Sequence, residues 1–136
     1  MELALEQPAN LFAVLGERLR LRLACCLLAA KHGLCVCELV DATAEPQPNV
    51  SRHLRLMKSA RLVDERREGR FVYYLLQNPD HPLYDNLRCC LETVCCCADF
   101  QADLKRLRER LKLREGGKCV IGFSKKTSAR RHRKGG

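Results

Sequence analysis

Residues 47–57 read QPNVSRHLRLM, and this stretch decides the fold. Val50, Leu54 and Met57 recur at spacings of four and three, which places them on one face of an α-helix. Pro48 suits the first turn of such a helix. The other face carries hydrogen-bond donors and positive charge, from Gln47, Asn49, Ser51, Arg52, His53 and Arg55. Because the major groove of DNA admits a helix with such a surface, the stretch predicts a DNA-reading helix, although an isolated helix of this kind also fits a solvated face.

Two β-prone runs follow this helix, at residues 62–67 and 70–76. A tight turn at Glu68-Gly69 joins them, which predicts a β-hairpin. Arg67 and Arg70 flank that turn. Arginines at the tip of a hairpin can hold DNA phosphates, which fixes the position of a protein on the duplex without reading its sequence.

Helices are predicted on both sides of these two elements. A short helix ends at Gly16, a second runs from about Glu17 to Lys31, and a third extends from around Val36 to near Ala44. A single long helix is predicted after the hairpin, beginning at about Pro82. Two sets of apolar residues with helical spacing support it: Leu83, Leu87, Leu91 and Val94, followed by Phe100, Leu104, Leu107 and Leu111. This order predicts a mainly α fold with a β-hairpin wing, the winged helix-turn-helix, whose third helix braces the reading helix.

Length and charge suggest one domain and a basic tail. The longest strongly apolar run, residues 23–30, is too short for the ~20 residues of a membrane span, and the first residues lack the basic start of a signal peptide. We therefore expect a cytoplasmic protein with no membrane partner. The net charge is +9, and residues 118–136 hold seven Lys or Arg and no acidic residue. We expect a domain at 1–115 and a basic, flexible tail at 116–136, which either adds nonspecific phosphate contacts or has no role.

The chain holds ten cysteines. Since no export signal is apparent and the helical patterns can build a core, reduced thiols are expected rather than a disulfide framework. No two cysteines have the CxxC spacing of a zinc ribbon or a thioredoxin site. Cys26 falls on the apolar stripe of the second helix and is predicted to pack in the core.

Four stretches together resemble the ArsR/SmtB family of metal-responsive repressors: LGERLRLR at 15–22, LCVCEL at 34–39, QPNVSRHL at 47–54 and RREGRFVYY at 66–74. The resemblance covers about residues 8–112. It implies a homodimer held by the first and last helices, which represses by binding an inverted-repeat operator and releases it when an inducer arrives. It further implies that Cys35 and Cys37 form a soft-metal site for As(III) or Sb(III), with no organic cofactor.

The chain departs from the family pattern in its ligands. Arsenite sensors of the family commonly have a third cysteine three residues after the pair, where this chain has Val40, so a third ligand must come from elsewhere. Cys95 and Cys96, in a run of three consecutive cysteines, are predicted as additional ligands, whereas Cys90 and Cys97 are predicted to pack and Cys119 has no assigned role. The histidines of the zinc sensors are missing from the last helix, and Pro46 replaces the usual small polar residue before the reading helix.

A geometric hypothesis connects this site to DNA binding. Residues two apart on an ideal helix point about 200° away from each other, so Cys35 and Cys37 reach one small ion only if the start of the third helix unwinds. Coordination would then distort the helix that braces the reading helix and lower the affinity for DNA.

Several alternatives stay open. A Cd(II) or Pb(II) repressor, a thiol-redox or persulfide-sensing repressor that uses Cys25 and a cysteine of the last helix, and a regulator whose cysteines only pack all fit the pattern. Arsenite is favoured because the thiols have no histidine partners. An enzyme is not predicted, because the sequence has no nucleotide loop, no HExxH, and no cysteine with a motif-matched histidine and acid.

Overall fold

A computed structural model describes residues 4–122. In this part of the chain the elements follow the order α1 (Glu6–Leu15), α2 (Arg18–Ala29), β1 (Leu34–Cys35), α3 (Val36–Thr43), α4 (Gln47–Ser59), β2 (Val63–Glu68), β3 (Phe71–Leu76), α5 (Pro82–Val94) and α6 (Ala98–Leu111). A mainly helical fold with an antiparallel hairpin is therefore confirmed. Most of the predicted basic tail, from residue 123 onward, lies outside the described residues.

The boundaries of the first four helices follow the predicted signals. The Glu17 carboxylate caps α2 by accepting a 2.9 Å hydrogen bond from the Arg20 amide, and Gly16 separates α1 from it. The helix α3 ends at Thr43, and its C-cap Ala44 takes a left-handed conformation with φ 58°. Within residues 4–122, no side-chain hydrogen bond caps α4, whose N-cap is Pro46 and whose first turn contains Pro48.

The sheet has three antiparallel strands in the order β1-β3-β2, and its first strand was not predicted. That strand has two residues, with Leu34 opposite Tyr74 and Cys35 opposite Tyr73. In the hairpin, Glu68 pairs with Phe71, so the turn is Gly69-Arg70, one residue later than the sequence suggested. Gly69 has φ 60°, which a two-residue hairpin turn favours at its first position.

The prediction of one long helix after the hairpin is wrong, because α5 and α6 are separated by a turn at Cys95, Cys96 and Cys97. Leu91 and Phe100 are both buried in the same core. Nine residues apart on an unbroken helix they would point in roughly opposite directions, at about 100° per residue. The turn removes this conflict, and an extended Cys97 begins α6.

The apolar core contains residues from all the major helices, including Leu23 of α2, Leu39 of α3, Leu54 of α4 and Leu107 of α6. The helix α6 packs along α3, and polar contacts reinforce this pairing. Arg106 of α6 donates to the Ala42 carbonyl near the end of α3 at 2.8 Å. No helix among residues 4–122 has the length and apolar character that crossing a bilayer requires.

Candidate metal centre and DNA-facing surface

Three buried cysteines form a cluster at the start of α3. The sulfur atoms of Cys35, Cys37 and Cys119 all lie within 4.8 Å of one another, and those of Cys37 and Cys119 are 3.8 Å apart. Cys119 comes from the segment after α6, 82 residues beyond Cys37. The fold thus brings two distant parts of the chain together at a cluster whose potential ligand atoms are all sulfur.

Local backbone geometry brings the first two sulfurs together. Cys35 is the last residue of β1 and the N-cap of α3, with the extended angles φ −77° and ψ 160°, and Cys37 lies in the first helical turn. Because Cys35 precedes the helix, the two side chains do not diverge as they would within it. The hypothesis that α3 must unwind before both cysteines can bind one ion is therefore wrong, because it assumed that both residues lie within the helix.

Glu38 fixes the start of α3 from within the core. Its carboxylate accepts a hydrogen bond from the Cys35 amide at 3.0 Å and two from Arg114, each at 2.7 Å. Glu38 is fully buried, and removing one partner of a buried ion pair leaves the other charge uncompensated. The Glu38–Arg114 pair therefore joins the base of the cysteine cluster to the chain after α6.

The segment that carries Cys119 is held on several sides. Glu115 and Lys118 exchange backbone hydrogen bonds in a turn that reverses the chain after α6. The Cys119 amide then donates to the hydroxyl of Tyr73 on β3 at 2.9 Å. Arg110 of α6 donates to the carbonyls of Ile121 and Gly122. These contacts place Cys119 between α3, α6 and the sheet.

The three thiols differ in acidity. The hydrogen bond from Cys35, aided by the Arg110 charge, lowers the pKa of Cys37 to about 7, and the same hydrogen bond raises the pKa of Cys35. Burial raises the pKa of Cys119 to about 11. The cluster near neutral pH therefore holds one readily formed thiolate and two neutral thiols.

The donor set fits a soft ion. Metal–sulfur bonds in proteins are about 2.3 Å long, so two sulfurs on one ion lie at most about 4.6 Å apart. The Cys37 and Cys119 sulfurs are 3.8 Å apart, inside that limit, and no pair in the cluster is more than 4.8 Å apart, so small side-chain rotations suffice. An all-sulfur site selects thiophilic ions over magnesium or calcium.

Of the four predicted metal ligands, the structure brings together Cys35 and Cys37 and keeps Cys95 and Cys96 outside the cluster. Cys95 lies beside α2, with its sulfur 4.0 Å from the Cys25 carbonyl. Cys96 is exposed and its thiol contacts the Glu92 carbonyl at 3.5 Å.

Cys119 was missed, although two signals pointed to it: the vacant third position at Val40 and a Gly-Gly turn that can return the chain after the last helix. The prediction that Cys26 packs in the core is confirmed, since it is fully buried. Cys90 and Cys97 are exposed on the single chain, so their predicted packing against a second copy stays a prediction.

The predicted DNA-contacting residues occupy two surfaces. On α4, Arg52 and Arg55 are exposed, whereas Gln47, Asn49 and Ser51 are half-buried near its start. His53 instead packs toward α2, with its Nδ1 3.0 Å from an Arg20 nitrogen and 3.8 Å from the Glu17 carboxylate.

At the wing, Arg67 and Arg70 are both exposed. The Arg70 guanidinium donates to the Val120 carbonyl at 3.3 Å, which connects the wing with the segment that carries Cys119.

Comparison with known proteins agrees with this architecture. The family model described as "Bacterial regulatory protein, arsR family" matches residues 20–65, from α2 into β2. The arsenic resistance transcriptional regulator ArsR2 of Pseudomonas putida is 43% identical over 75 residues, which are 55% of this chain and 64% of that protein. An uncharacterized HTH-type transcriptional regulator of Methanocaldococcus jannaschii is 37% identical over 71 residues, 52% of this chain and 79% of that protein.

Two further matches extend the comparison. A cadmium resistance transcriptional regulatory protein CadC homolog of Staphylococcus aureus is 32% identical over 80 residues, covering 57% of this chain and 65% of the relative. The solved structure of HlyU from Vibrio cholerae superposes with a TM-score of 0.59 at 26% identity, over 71% of this chain and all of that one. The matched stretch covers slightly less than two thirds of the length of the arsenic regulator and of the cadmium regulator. The chain belongs to the ArsR/SmtB family of winged helix-turn-helix transcriptional regulators.

Proposed function

We propose that this protein is a transcriptional repressor that releases its operator when As(III) or Sb(III) binds to Cys35, Cys37 and Cys119. The observation that carries this proposal is the convergence of three buried sulfurs from two distant segments within 4.8 Å. The exposed arginines of α4 and of the wing supply a surface for DNA.

The chemistry of arsenite matches such a cluster. Arsenious acid reacts with three thiols to form three As–S bonds, while three As–O bonds break and the three thiol protons leave in three water molecules. The product is neutral, because the charge of As(III) equals that of three thiolates. Burial of a neutral complex avoids the desolvation cost that a net charge would carry in this site.

Cd(II) or Pb(II) is the alternative inducer of the same site, and the similarity to a cadmium resistance protein supports it. Three thiolates around a divalent ion leave one negative charge. Arg110, whose side chain is 4.0 Å from the Cys119 sulfur, could offset part of that charge. Arsenite is favoured because Arg110 already pairs with Asp41 at 2.7 Å.

The site lies where it can affect both DNA-facing elements. Arg114 and Arg106 hold α3 near its two ends, and α4 follows α3 directly. The Cys119 segment also meets the wing, through Arg70 at the Val120 carbonyl. We propose that coordination of Cys119 fixes this segment against the wing, so that Arg70 is kept from a DNA phosphate.

A homodimer is part of this proposal. An inverted-repeat operator presents two equivalent half-sites, which a two-fold symmetric dimer reads together. Phe12 of α1 is 58% exposed, and Leu5, seven residues earlier, is more exposed still. These apolar side chains support pairing of two copies through the first helix, with the exposed cysteines of α5 available to join the same interface.

A thiol-redox repressor is the second candidate, favoured by one contact. Cys95 lies beside Cys25, the one cysteine of α2 for which a partner on the last helices was predicted. Burial raises the pKa of Cys25, which leaves little reactive thiolate at neutral pH. We therefore rank this candidate below metal sensing.

Fluorescence anisotropy of a labelled operator, selected from a random DNA pool, tests the proposal. We expect arsenite to release wild-type protein and the matched control Cys96→Ser, but not Cys119→Ser. Parallel titrations with cadmium and a persulfide donor compare the alternatives. Normal arsenite-driven release of Cys119→Ser would contradict the proposed site, and release by the persulfide donor alone would favour the redox candidate.

A further inference from the structure

We infer that Arg110 is the positioning residue that presents Cys119 as the third sulfur ligand, and so sets the preference of the site for ions that take three thiolates over those that take two. This inference rests on the proposed function. Arg110 lies on α6, behind the cluster, and belongs to none of the motifs quoted from the sequence.

The contacts of Arg110 converge on the segment that carries Cys119. The side chain is held from one side by Asp41 of α3, which accepts from Nε at 2.7 Å. From the other side of the guanidinium, Nη2 donates to the carbonyls of Ile121 and Gly122 at 2.5 and 2.6 Å. The Arg110 guanidinium therefore connects α6 with Asp41 of α3 and with Ile121 and Gly122, which follow Cys119.

Burial makes this arrangement hard to replace. Arg110 is only 4% exposed, and its Nη1 has no hydrogen-bond partner among residues 4–122. A buried guanidinium costs free energy unless its surroundings compensate it. Asp41 and the Ile121 and Gly122 carbonyls supply that compensation here, and they hold Nη2 4.0 Å from the Cys119 sulfur.

The short path between α6 and Cys119 explains why positioning matters. Cys35 and Cys37 are held by β1 and α3, so their separation does not depend on the last segment. Cys119 follows a turn whose Gly116 and Gly117 have left-handed φ values of 58° and 75°. Without Arg110, the Ile121 and Gly122 carbonyls lose its hydrogen bonds, and the contacts that remain at this segment include those of the Tyr73 hydroxyl, Arg70 and Arg114. We therefore expect the effective concentration of the third sulfur to fall.

The competing interpretation is that Arg110 only stabilises the fold through Asp41. Two arsenicals separate these roles. Arsenite takes three thiolates, whereas phenylarsine oxide takes two, forming two As–S bonds with release of one water from its oxygen and the two thiol protons. A positioning role predicts loss of arsenite affinity alone, while a merely structural role lowers the affinity for both.

The experiment uses the full chain with Arg110→Gln, Arg110→Lys and the control Arg108→Gln, which changes an exposed arginine of the same helix. We expect Arg110→Gln to weaken arsenite binding by at least about tenfold, the scale of losing charge-assisted hydrogen bonds, and phenylarsine oxide binding by less than about twofold. Arg110→Lys keeps the charge but cannot bond Asp41 and both carbonyls together, so a smaller loss is expected. Arg108→Gln should change neither affinity.

Each other outcome overturns the inference. Unchanged arsenite affinity of Arg110→Gln would leave the proposed function intact and remove Arg110 from it. Equal losses for both arsenicals would assign Arg110 to stability alone. If Arg110→Gln does not fold, the same comparison is made with Arg110→Lys. Arsenite affinity of Cys119→Ser equal to that of wild type would contradict both the inference and the proposed site.

Discussion

Cys37 is the residue whose protonation determines how the site responds to pH. Its pKa is lowered to about 7, by the hydrogen bond from Cys35 and the charge of Arg110, while the pKa of Cys119 is raised to about 11 by burial. Below pH 7 all three groups are thiols, and above it one is a thiolate. Inducers that differ in the protons they displace must therefore give different pH profiles.

When arsenious acid binds, its three oxygens leave as water and carry away the three thiol protons, so no proton is released to the solvent. Its affinity should be flat below about pH 7 and fall about tenfold per pH unit above it, because one proton must then be taken up. Cd(II) displaces the proton of every thiol that it binds. Below pH 7 it displaces three protons, so its affinity should rise about a thousandfold per pH unit, and above pH 7 it displaces two, so the rise should be about a hundredfold per pH unit. Competition titrations between pH 6 and 8 measure both slopes. An arsenite affinity that rises with pH would contradict this protonation scheme.

The ligand pair Cys35 and Cys37 could be predicted because LCVCEL at 34–39 resembles the family pattern, although the spacing alone argued against a shared ion within a helix. The third ligand could not. Whether Cys119 returns to α3 depends on the handedness of the turn at Gly116-Gly117 and on partners such as Tyr73 and Arg110, which are distant in sequence. Periodic patterns carry no information on such contacts.

At the scale of elements, periodicity predicted α1 to α4 and the hairpin, because each has an apolar face with a clear repeat. It missed β1, which has two residues and exists only through its pairing with β3. It also merged α5 and α6, because the three residues of the turn between them are cysteines, with neither glycine nor proline to mark a break.

Gly33 allows β1 to reach β3. It has φ 92°, and a Cβ at this position would lie 3.0 Å from the Leu75 side chain and 3.1 Å from the Tyr74 carbonyl. We expect Gly33→Ala to lower the free energy of unfolding by about 1–3 kcal/mol, through backbone strain and displacement of β1.

Urea denaturation measures this loss, with Gly16→Ala as the control. Gly16 has φ −80° and its added Cβ would meet ordinary contacts of 3.4 and 3.5 Å. An equal, small effect of both substitutions would show that β1 does not require glycine at residue 33. Since Cys35 ends β1, Gly33→Ala should also weaken arsenite binding.

At the scale of the whole molecule, charge outside the winged domain is expected to add to DNA affinity. Residues 123–136 contain six Lys or Arg and no acidic residue. Deleting them leaves Cys119 in place, so inducer binding should persist. We expect weaker binding to operator and random DNA alike, with a shallower dependence of log affinity on log salt concentration, since fewer counterions are released. A salt slope equal to that of the full chain would mean that these residues do not contact phosphates.

In the proposed function, release of DNA depends on one coordination shell that joins the start of α3 to the segment after α6. X-ray absorption at the arsenic edge of the arsenite-loaded protein counts the atoms bound to the ion. Three sulfur neighbours and no oxygen are expected for wild type, and two sulfurs with one oxygen for Cys119→Ser. Three sulfurs retained in Cys119→Ser would place the third ligand elsewhere and contradict the account.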